Sequence, residues 1–323
     1  MNFLETLMYT FVRFPLDDQV VAPCIYRSSP HRTTGVGLRL SRELRHELST
    51  FMFSFLVDTD APSDGTYFRM DAFLRPDGGL SVIEINAAFV DGWGTAMNLA
   101  RASGNPVYLA DASFPKYWSG AEQQYWPELE LACSELRVAG RAATVITAAE
   151  ARRLKEPVYW YGAFQDQFYW RPIDGIRLDD KQLLALLGQS WSGSLVHIPR
   201  HYFVDQTPWD SLSREIILKF RSKHDPEVAV ELARKRLPSV ARREQIGRGK
   251  YWRRQYSSRI ALAQDLVEPL SCPLMVDDVA DPVTQVIIFF VGQNPVTGYL
   301  QVVERGRRVI NDDSVHGPVV FVD

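Results

Sequence analysis

YFRMDAFL (residues 67–74), RPDGG (75–79) and LSVIEIN (80–86) are consecutive segments of this chain, and together they decide its fold. The two outer segments are rich in the aromatic and β-branched residues that favour strands. Proline, aspartate and glycine in the middle segment supply the backbone dihedrals of a tight connection. We therefore predict a β-hairpin with strands over Tyr67–Leu74 and Leu80–Asn86.

Polar side chains fall on one face of this hairpin. Alternate residues of a strand point the same way, so Arg69 shares a face with Asp71, and Glu84 shares one with Asn86. The pairing of the strands brings the two pairs together, and the apolar Phe68, Met70, Ile83 and Ile85 are expected on the opposite face. Carboxylate and amide oxygens are the hard ligands that Mg²⁺ prefers, so the patch is a candidate metal site. The same residues also suit a solvent-exposed strand face with cross-strand ion pairs.

The regions outside the hairpin predict a mixed α+β chain. Apolar residues at mixed three- and four-residue spacing favour a helix over 38–57, and a second helix is expected from Thr95 to Ala102. Helix, strand, helix and strand are predicted in turn over 121–138, 142–146, 148–154 and 158–161, which indicates a small Rossmann-like α/β layer. A helix over 178–187 and strands at 193–198, 215–220 and 260–266 follow. A second hairpin is predicted around Asn294-Pro295, with a final extended segment near 318–322.

Composition excludes several classes of protein. The net charge of −3 gives no general attraction to nucleic acid or to anionic lipid, and we expect neither as a partner. An arginine-rich stretch with aromatic residues at 234–259 resembles a single-strand nucleic-acid surface, but a solvated helix or a lid over an anionic ligand is favoured. No apolar run is long enough to span a bilayer, and the N-terminus lacks the pattern of a signal peptide. The three cysteines are far apart, which fits a cytoplasmic location.

The hairpin resembles the metal-binding hairpin of the ATP-grasp superfamily. The shared pattern is R-x-D at 69–71, then E-x-N at 84–86. In that family the Asp, Glu and Asn bind Mg²⁺ and the Arg contacts the reacting phosphoryl group. The resemblance thus implies Asp71, Glu84 and Asn86 as metal ligands and Arg69 as the catalytic residue.

The position of the hairpin in the chain resembles the circularly permuted branch of the superfamily, which includes glutathionylspermidine synthase. That order implies three regions: 1–105 with the metal-binding hairpin, 106–205 as a Rossmann-like pre-ATP-grasp layer on the substrate side, and 206–323 as the ATP-binding half. The expected nucleotide contacts are Lys219, Lys223, Lys250, Gln264, Asp265, Leu266 and Val267. Lysine would bind phosphate, whereas Gln264 and the backbone of 265–267 would meet adenine.

Two departures from the family pattern bear on catalysis. The segment after Lys219 has no glycine-containing phosphate loop, and Gly247 and Gly249 are a candidate substitute. Relatives of glutathionylspermidine synthase often carry Gly-x-x-Arg-Glu in their closing strands, whereas residues 298–301 here read GYLQ. An arginine that binds an anion is therefore missing at that position.

The resemblance implies an ATP- and Mg²⁺-dependent ligase that joins a small-molecule or peptide carboxylate to an amine through an acyl phosphate. Two alternatives stay open at this point. One is a nucleotide-binding regulatory protein without catalysis, and the other is an ATP-grasp kinase that phosphorylates a hydroxyl. The identity of both substrates, and whether the chain forms a homo-oligomer, are left open by the sequence.

Overall fold

The hairpin lies inside a large sheet to which both ends of the chain contribute. A computed structural model of the 323-residue chain describes residues 8–22, 24–26, 29–61, 66–88, 90–105, 114–120, 125–162, 175–203, 206–207, 211, 215–221, 240–242, 261–276, 279–305 and 314–322. The strands are β1 Tyr9–Arg13, β2 Cys24–Tyr26, β3 Ser29–Thr33, β4 Val36–Leu40, β5 Tyr67–Leu74, β6 Leu80–Asn86, β7 Tyr117–Gly120, β8 Thr144–Val145, β9 Val158–Tyr161, β10 Val196–His197, β11 His201–Phe203, β12 Glu215–Phe220, β13 Val240–Arg242, β14 Ala261–Asp265, β15 Pro282–Val291, β16 Asn294–Glu304 and β17 Val315–Phe321. The helices are α1 Arg42–Asp58, α2 Trp93–Ala102, α3 Trp126–Val138, α4 Ala148–Ala151, α5 Gly175–Leu178 and α6 Lys181–Ser190. The predicted α+β class is confirmed.

The large sheet has ten strands in the described part of the chain, in the order β1-β4-β17-β16-β15-β5-β6-β10, with β2 and β3 attached beside β17. The predicted hairpin strands β5 and β6 are confirmed with the expected bounds. Strand β5 of the hairpin pairs antiparallel with β15, which lies near the C-terminus. Segments more than two hundred residues apart therefore form one surface. This arrangement places β5 between β15 and β6, whereas the described pairing of β6 on its outer side is limited to the two-residue β10, at Leu80 and Ser81.

A β-bulge on β6 changes one detail of the predicted hairpin. Asp71 lies opposite Glu84 and Ala72 lies opposite Val82, so Ile83 is the extra residue. The bulge turns both Val82 and Ile85 towards the main core, whereas Ile83 is only partly buried and does not belong to that core. The expectation that Ile83 lies on the apolar face was therefore wrong.

The main core lies between the large sheet and α1. Leu44, Leu48, Phe51 and Phe55 recur at helical spacing and are fully buried against the sheet. Ser41 begins this helix as its N-cap, since its hydroxyl oxygen accepts from the Leu44 N–H at 3.2 Å. Residues 36–40 form the preceding strand, so the prediction that the helix begins at 38 was wrong.

A small parallel sheet covers part of the opposite face. Its strand order is β8-β7-β9, with α3 and α4 in the connections between strands, as expected of an α/β layer. Its residues form a second core with α2 and with Ile287, Phe289 and Tyr299 of the large sheet.

A separate four-stranded antiparallel sheet has the order β11-β14-β12-β13. The strand predicted at 215–220 is confirmed, and the one predicted at 260–266 is observed as Ala261–Asp265. The second predicted hairpin is β15–β16, but it turns at Gly292 and Gln293 and not around Asn294-Pro295, because Asn294 already pairs with Val291. The helix expected at 178–187 is displaced, with α6 beginning at Lys181 after the Asp180 N-cap. The three proposed regions of the chain stay predictions.

Candidate functional site

The four residues singled out on the hairpin form one patch. The register places Arg69 opposite Asn86 and Asp71 opposite Glu84, on alternate rungs of the β5–β6 ladder and so on one face. Asp71 and Asn86 are only 8% and 4% exposed, whereas Glu84 is partly exposed. Two carboxylates directly opposite each other repel, so such a pair requires nearby cations. This patch is therefore not an ordinary solvated strand face.

Arg69 supplies the first of these cations. Its Nε and Nη2 donate to the two carboxylate oxygens of Asp71 at 2.9 and 3.3 Å, and its Nη1 donates to Asp91. Burial raises the pKa of Asp71, and the Arg69 guanidinium only partly offsets that effect. The carboxylates of Asp71 and Asp91 raise the pKa of Arg69 well above its usual value despite burial, so it remains charged.

Lys181 supplies the second cation, and sequence reasoning missed it. Its ammonium nitrogen forms an ion pair with Glu84 and lies 3.4 Å from the amide oxygen of Asn86. The side chain is only 10% exposed. Lys181 is the first residue of α6, and the Asp180 N-cap is a local signal for the start of that helix. That signal does not reveal a contact with residues 97 positions away.

Lys219 approaches the same hairpin from the four-stranded sheet. Its ammonium donates to the backbone carbonyl of Ile83 at 2.6 Å, beside Glu84. Burial, together with the nearby charge of Lys219, lowers the pKa of the His201 imidazole to about 4. His201 is therefore neutral near pH 7, and Lys219 is the cation on this side.

Gln264 lies near Lys219 on the same face of the four-stranded sheet. It pairs with Ile217, two residues before Lys219, and with His201 on the other side. It is 1% exposed, and neither its amide nitrogen nor its amide oxygen has a hydrogen-bond partner in the described structure. Because buried amides are nearly always paired, this side chain is a candidate ligand contact.

The other predicted nucleotide contacts differ in position. Asp265 points to the opposite face of β14, where its carboxylate accepts from the Tyr202 hydroxyl at 2.7 Å. The backbone N–H groups of Asp265 and Leu266 already donate to Arg200 and Glu215. Val267 follows β14 and is half-buried. Lys223 and Lys250, the Gly247–Gly249 loop and most of the stretch 234–259 lie outside the described residues.

A largely buried wall lies beside Arg69 and consists of Asp91, Gly92, Thr95, Glu128 and Tyr299. Asp91 precedes Gly92, which has a positive φ of 96° and lets the α2 N-terminus approach Tyr299. A Cβ added at Gly92 would lie 2.8 Å from the Tyr299 ring. The Glu128 carboxylate accepts from the N–H and hydroxyl of Thr95, at 3.0 Å each. Sequence analysis missed this wall because its members come from three separate segments.

The side-chain oxygen atoms on the hairpin are of the kind that bind Mg²⁺ in proteins. In the described ranges no three His, Cys, Asp or Glu side chains converge, so the site supplies two carboxylates and the amide oxygen of Asn86. Mg²⁺ commonly uses one or two carboxylates and completes its shell with phosphate oxygens and water. The Lys181 ammonium already places a positive charge at Glu84 and Asn86, which shows that the donor set accepts a cation.

Comparisons with known proteins give little further information. No family model and no curated protein match this sequence. Among solved structures, one described as "Putative gamma-glutamylcysteine synthetase" from Methylobacillus flagellatus KT has a TM-score of 0.43 and 10% sequence identity, covering 84% of this chain and 85% of that one. This likeness is too distant to support a conclusion about fold or activity. Within the described residues, no helix is both long and apolar enough to cross a bilayer.

Proposed function

We propose that this chain is an ATP-dependent carboxylate–amine ligase of the circularly permuted ATP-grasp type. The observation that carries the proposal is the convergence of two sheets on one hairpin. The large sheet presents Arg69, Asp71, Glu84 and Asn86 in register, and the four-stranded sheet directs Lys219 to the same strand. The resemblance of the R-x-D and E-x-N pattern to that superfamily supports the same reading.

The nucleotide would lie between the two sheets. Lys219 at the hairpin suits the phosphate oxygens, because a lysine ammonium is a compact charge with three donors. The unpartnered amide of Gln264, on the same face, suits the donor and acceptor edge of adenine. A ligand there would satisfy a buried group that has no partner among the residues that the structure describes.

Asp71, Glu84 and Asn86 would hold Mg²⁺, which supplies charge neutralisation to the transferred phosphoryl group when it is bound. Arg69 lies between Asp71 and Asp91, so its guanidinium has a fixed orientation. In this position it would stabilise the negative charge that develops on the phosphoryl oxygens.

The chemistry implied by the resemblance has two steps. A carboxylate oxygen of the first substrate attacks the γ-phosphorus of ATP, forming an acyl phosphate and releasing ADP. The amine nitrogen of the second substrate then attacks the acyl carbon, phosphate leaves with the bonding electron pair, and the amine loses a proton. Burial of the patch would exclude the water that otherwise hydrolyses the acyl phosphate.

Substitution of Glu84 tests the proposal. We expect Glu84→Gln to lower ADP release with a panel of amino acids and peptides by roughly a hundredfold, because a carboxylate ligand is lost. Glu43→Gln, on the exposed side of α1, should leave the rate unchanged. Circular dichroism would establish that both variants are folded. Full turnover by folded Glu84→Gln would overturn the metal assignment.

One observation favours a second candidate, a nucleotide-binding protein without catalysis. Arg69 is paired with two carboxylates, which offsets its charge towards a phosphoryl group. Binding of an ATP analogue without ADP release across the panel would support this second function. A product that retains phosphate, identified by mass, would instead indicate a kinase.

A further inference from the structure

Lys181 occupies the position at which a cation would be held by the hairpin. Its ammonium contacts the Glu84 carboxylate and the amide oxygen of Asn86, both of which the proposed function assigns to Mg²⁺. The amide nitrogen of Asn86 is buried and has no partner among the described residues. Within the described ranges, the side-chain contact of Asn86 is thus the one from the lysine.

The backbone holds Lys181 in this position from two sides. Its N–H donates to the carbonyl of Arg221 at the end of β12, at 2.8 Å. The preceding Asp180 caps the helix at Gln182, at 2.9 Å, and accepts from the Arg221 guanidinium at 2.8 and 3.0 Å. Only the lysine side chain therefore has to move for the ammonium to leave Glu84.

An ammonium and a divalent cation cannot use the same side of Glu84 at once. Mg²⁺ requires oxygen ligands at about 2.0–2.1 Å in near-octahedral geometry, which leaves no space for an ammonium within hydrogen-bond distance of the same atoms. The two cations also repel each other strongly in a partly buried site. Without any cation, Glu84 and Asp71 would face each other as like charges.

We propose that Lys181 is an internal counter-ion that closes the metal site until the divalent cation displaces its ammonium. This inference rests on the proposed function, because it takes Glu84 and Asn86 as metal ligands. Apparent metal affinity is then reduced by the fraction of molecules in which Lys181 is in place. The displaced ammonium becomes available to the phosphate groups beside the hairpin.

Binding of Mn²⁺ alone, without nucleotide, tests this role on the full chain. Free Mn²⁺ would be followed by electron paramagnetic resonance during titration of wild type and variants. We expect Lys181→Met to bind Mn²⁺ about tenfold more tightly than wild type. Lys181→Gln, which keeps a donor beside Glu84 but no charge, should also bind more tightly and serves if the methionine variant does not fold.

Two control variants distinguish the effect of direct contact with Glu84 from the general effect of removing a positive charge. Lys219→Met removes a nearby ammonium that donates to the Ile83 carbonyl, and it should give a much smaller gain. Lys155→Met, at an exposed position, should give none. Equal gains for the substitutions at 181 and 219, or no gain at 181 while Mn²⁺ binding still depends on Glu84, would overturn the proposal and leave the ligase intact. Mn²⁺ binding that is unaffected by Glu84→Gln in every background would overturn both.

Discussion

At the scale of single residues, burial outweighs hydrogen bonding at Glu128. The carboxylate accepts two hydrogen bonds from Thr95 at the N-terminus of α2, and both lower its pKa. Desolvation is the larger effect, with a smaller contribution from Asp91, and the pKa is raised from 4.5 to about 7. The wall behind Arg69 therefore contains a group that titrates near neutral pH.

This residue predicts a specific pH dependence of stability. The folded state retains the Glu128 proton up to about pH 7, whereas the unfolded state releases it near pH 4.5. The folded state therefore binds more protons between these values, and the free energy of unfolding falls as pH rises through this window. Glu128→Gln, which keeps an oxygen for the Thr95 N–H, should lose this component, worth about 2 to 3 kcal/mol between pH 5 and pH 8.

Urea unfolding at pH 5 and pH 8 would measure this pH-dependent part of the free energy of unfolding. Glu130→Gln, two residues along α3 and exposed to solvent, is the matched control and should keep the wild-type pH dependence. Identical pH dependence in wild type and Glu128→Gln would show that the carboxylate is solvated in the folded state.

At the scale of elements, sequence patterns correctly predicted those strands and helices whose formation depends on neighbouring residues. The hairpin strands and the strand at 215–220 follow from alternation and turn residues, which act over a few residues. The start of α1 was misjudged because Leu40 and Leu44 are four residues apart, which continues the helical spacing past the true start of the helix. The pairing of Leu38 and Leu40 with β1 and β17, which decides for a strand, depends on distant segments.

One substitution in the connection before α2 can test how tightly α2 packs against β16. Gly92 has a left-handed backbone, and its Cα hydrogen faces the ring of Tyr299 on β16. Gly92→Ala should destabilise the fold through both the dihedral and the steric clash, by about 2 to 4 kcal/mol. It should also displace Tyr299 near Arg69 and lower activity.

Gly104→Ala is the matched control for that change. Gly104 also has a positive φ, of 72°, but a Cβ there meets no atom within 4 Å. It should therefore lose only the dihedral component, about 1 to 2 kcal/mol. Equal losses at the two positions, measured by urea unfolding, would show that α2 and β16 separate easily.

At the scale of the whole molecule, the site is an assembly of segments that are far apart in sequence. The hairpin residues were predicted because their four positions lie within eighteen residues of one another. Lys181, Asp91 and Tyr299 were not, since nothing local to them indicates the partner that each contacts. Their roles depend on the packing of α6 and α2 against the large sheet, which only the three-dimensional structure provides.

The contact between the two sheets leads to a final prediction. Lys219 of the four-stranded sheet donates to the Ile83 carbonyl of the large sheet, and a nucleotide between the sheets would contact both. A ligand that binds only the folded state at a hundred times its Kd adds about 2.7 kcal/mol to stability. A non-hydrolysable ATP analogue with Mg²⁺ should therefore raise the melting temperature of wild type. The gain should be largely lost in Lys219→Met, because a phosphate contact is missing, and retained in Lys155→Met. Differential scanning fluorimetry would measure the melting temperatures. A gain of equal size in all three proteins would place the nucleotide away from this pair of sheets.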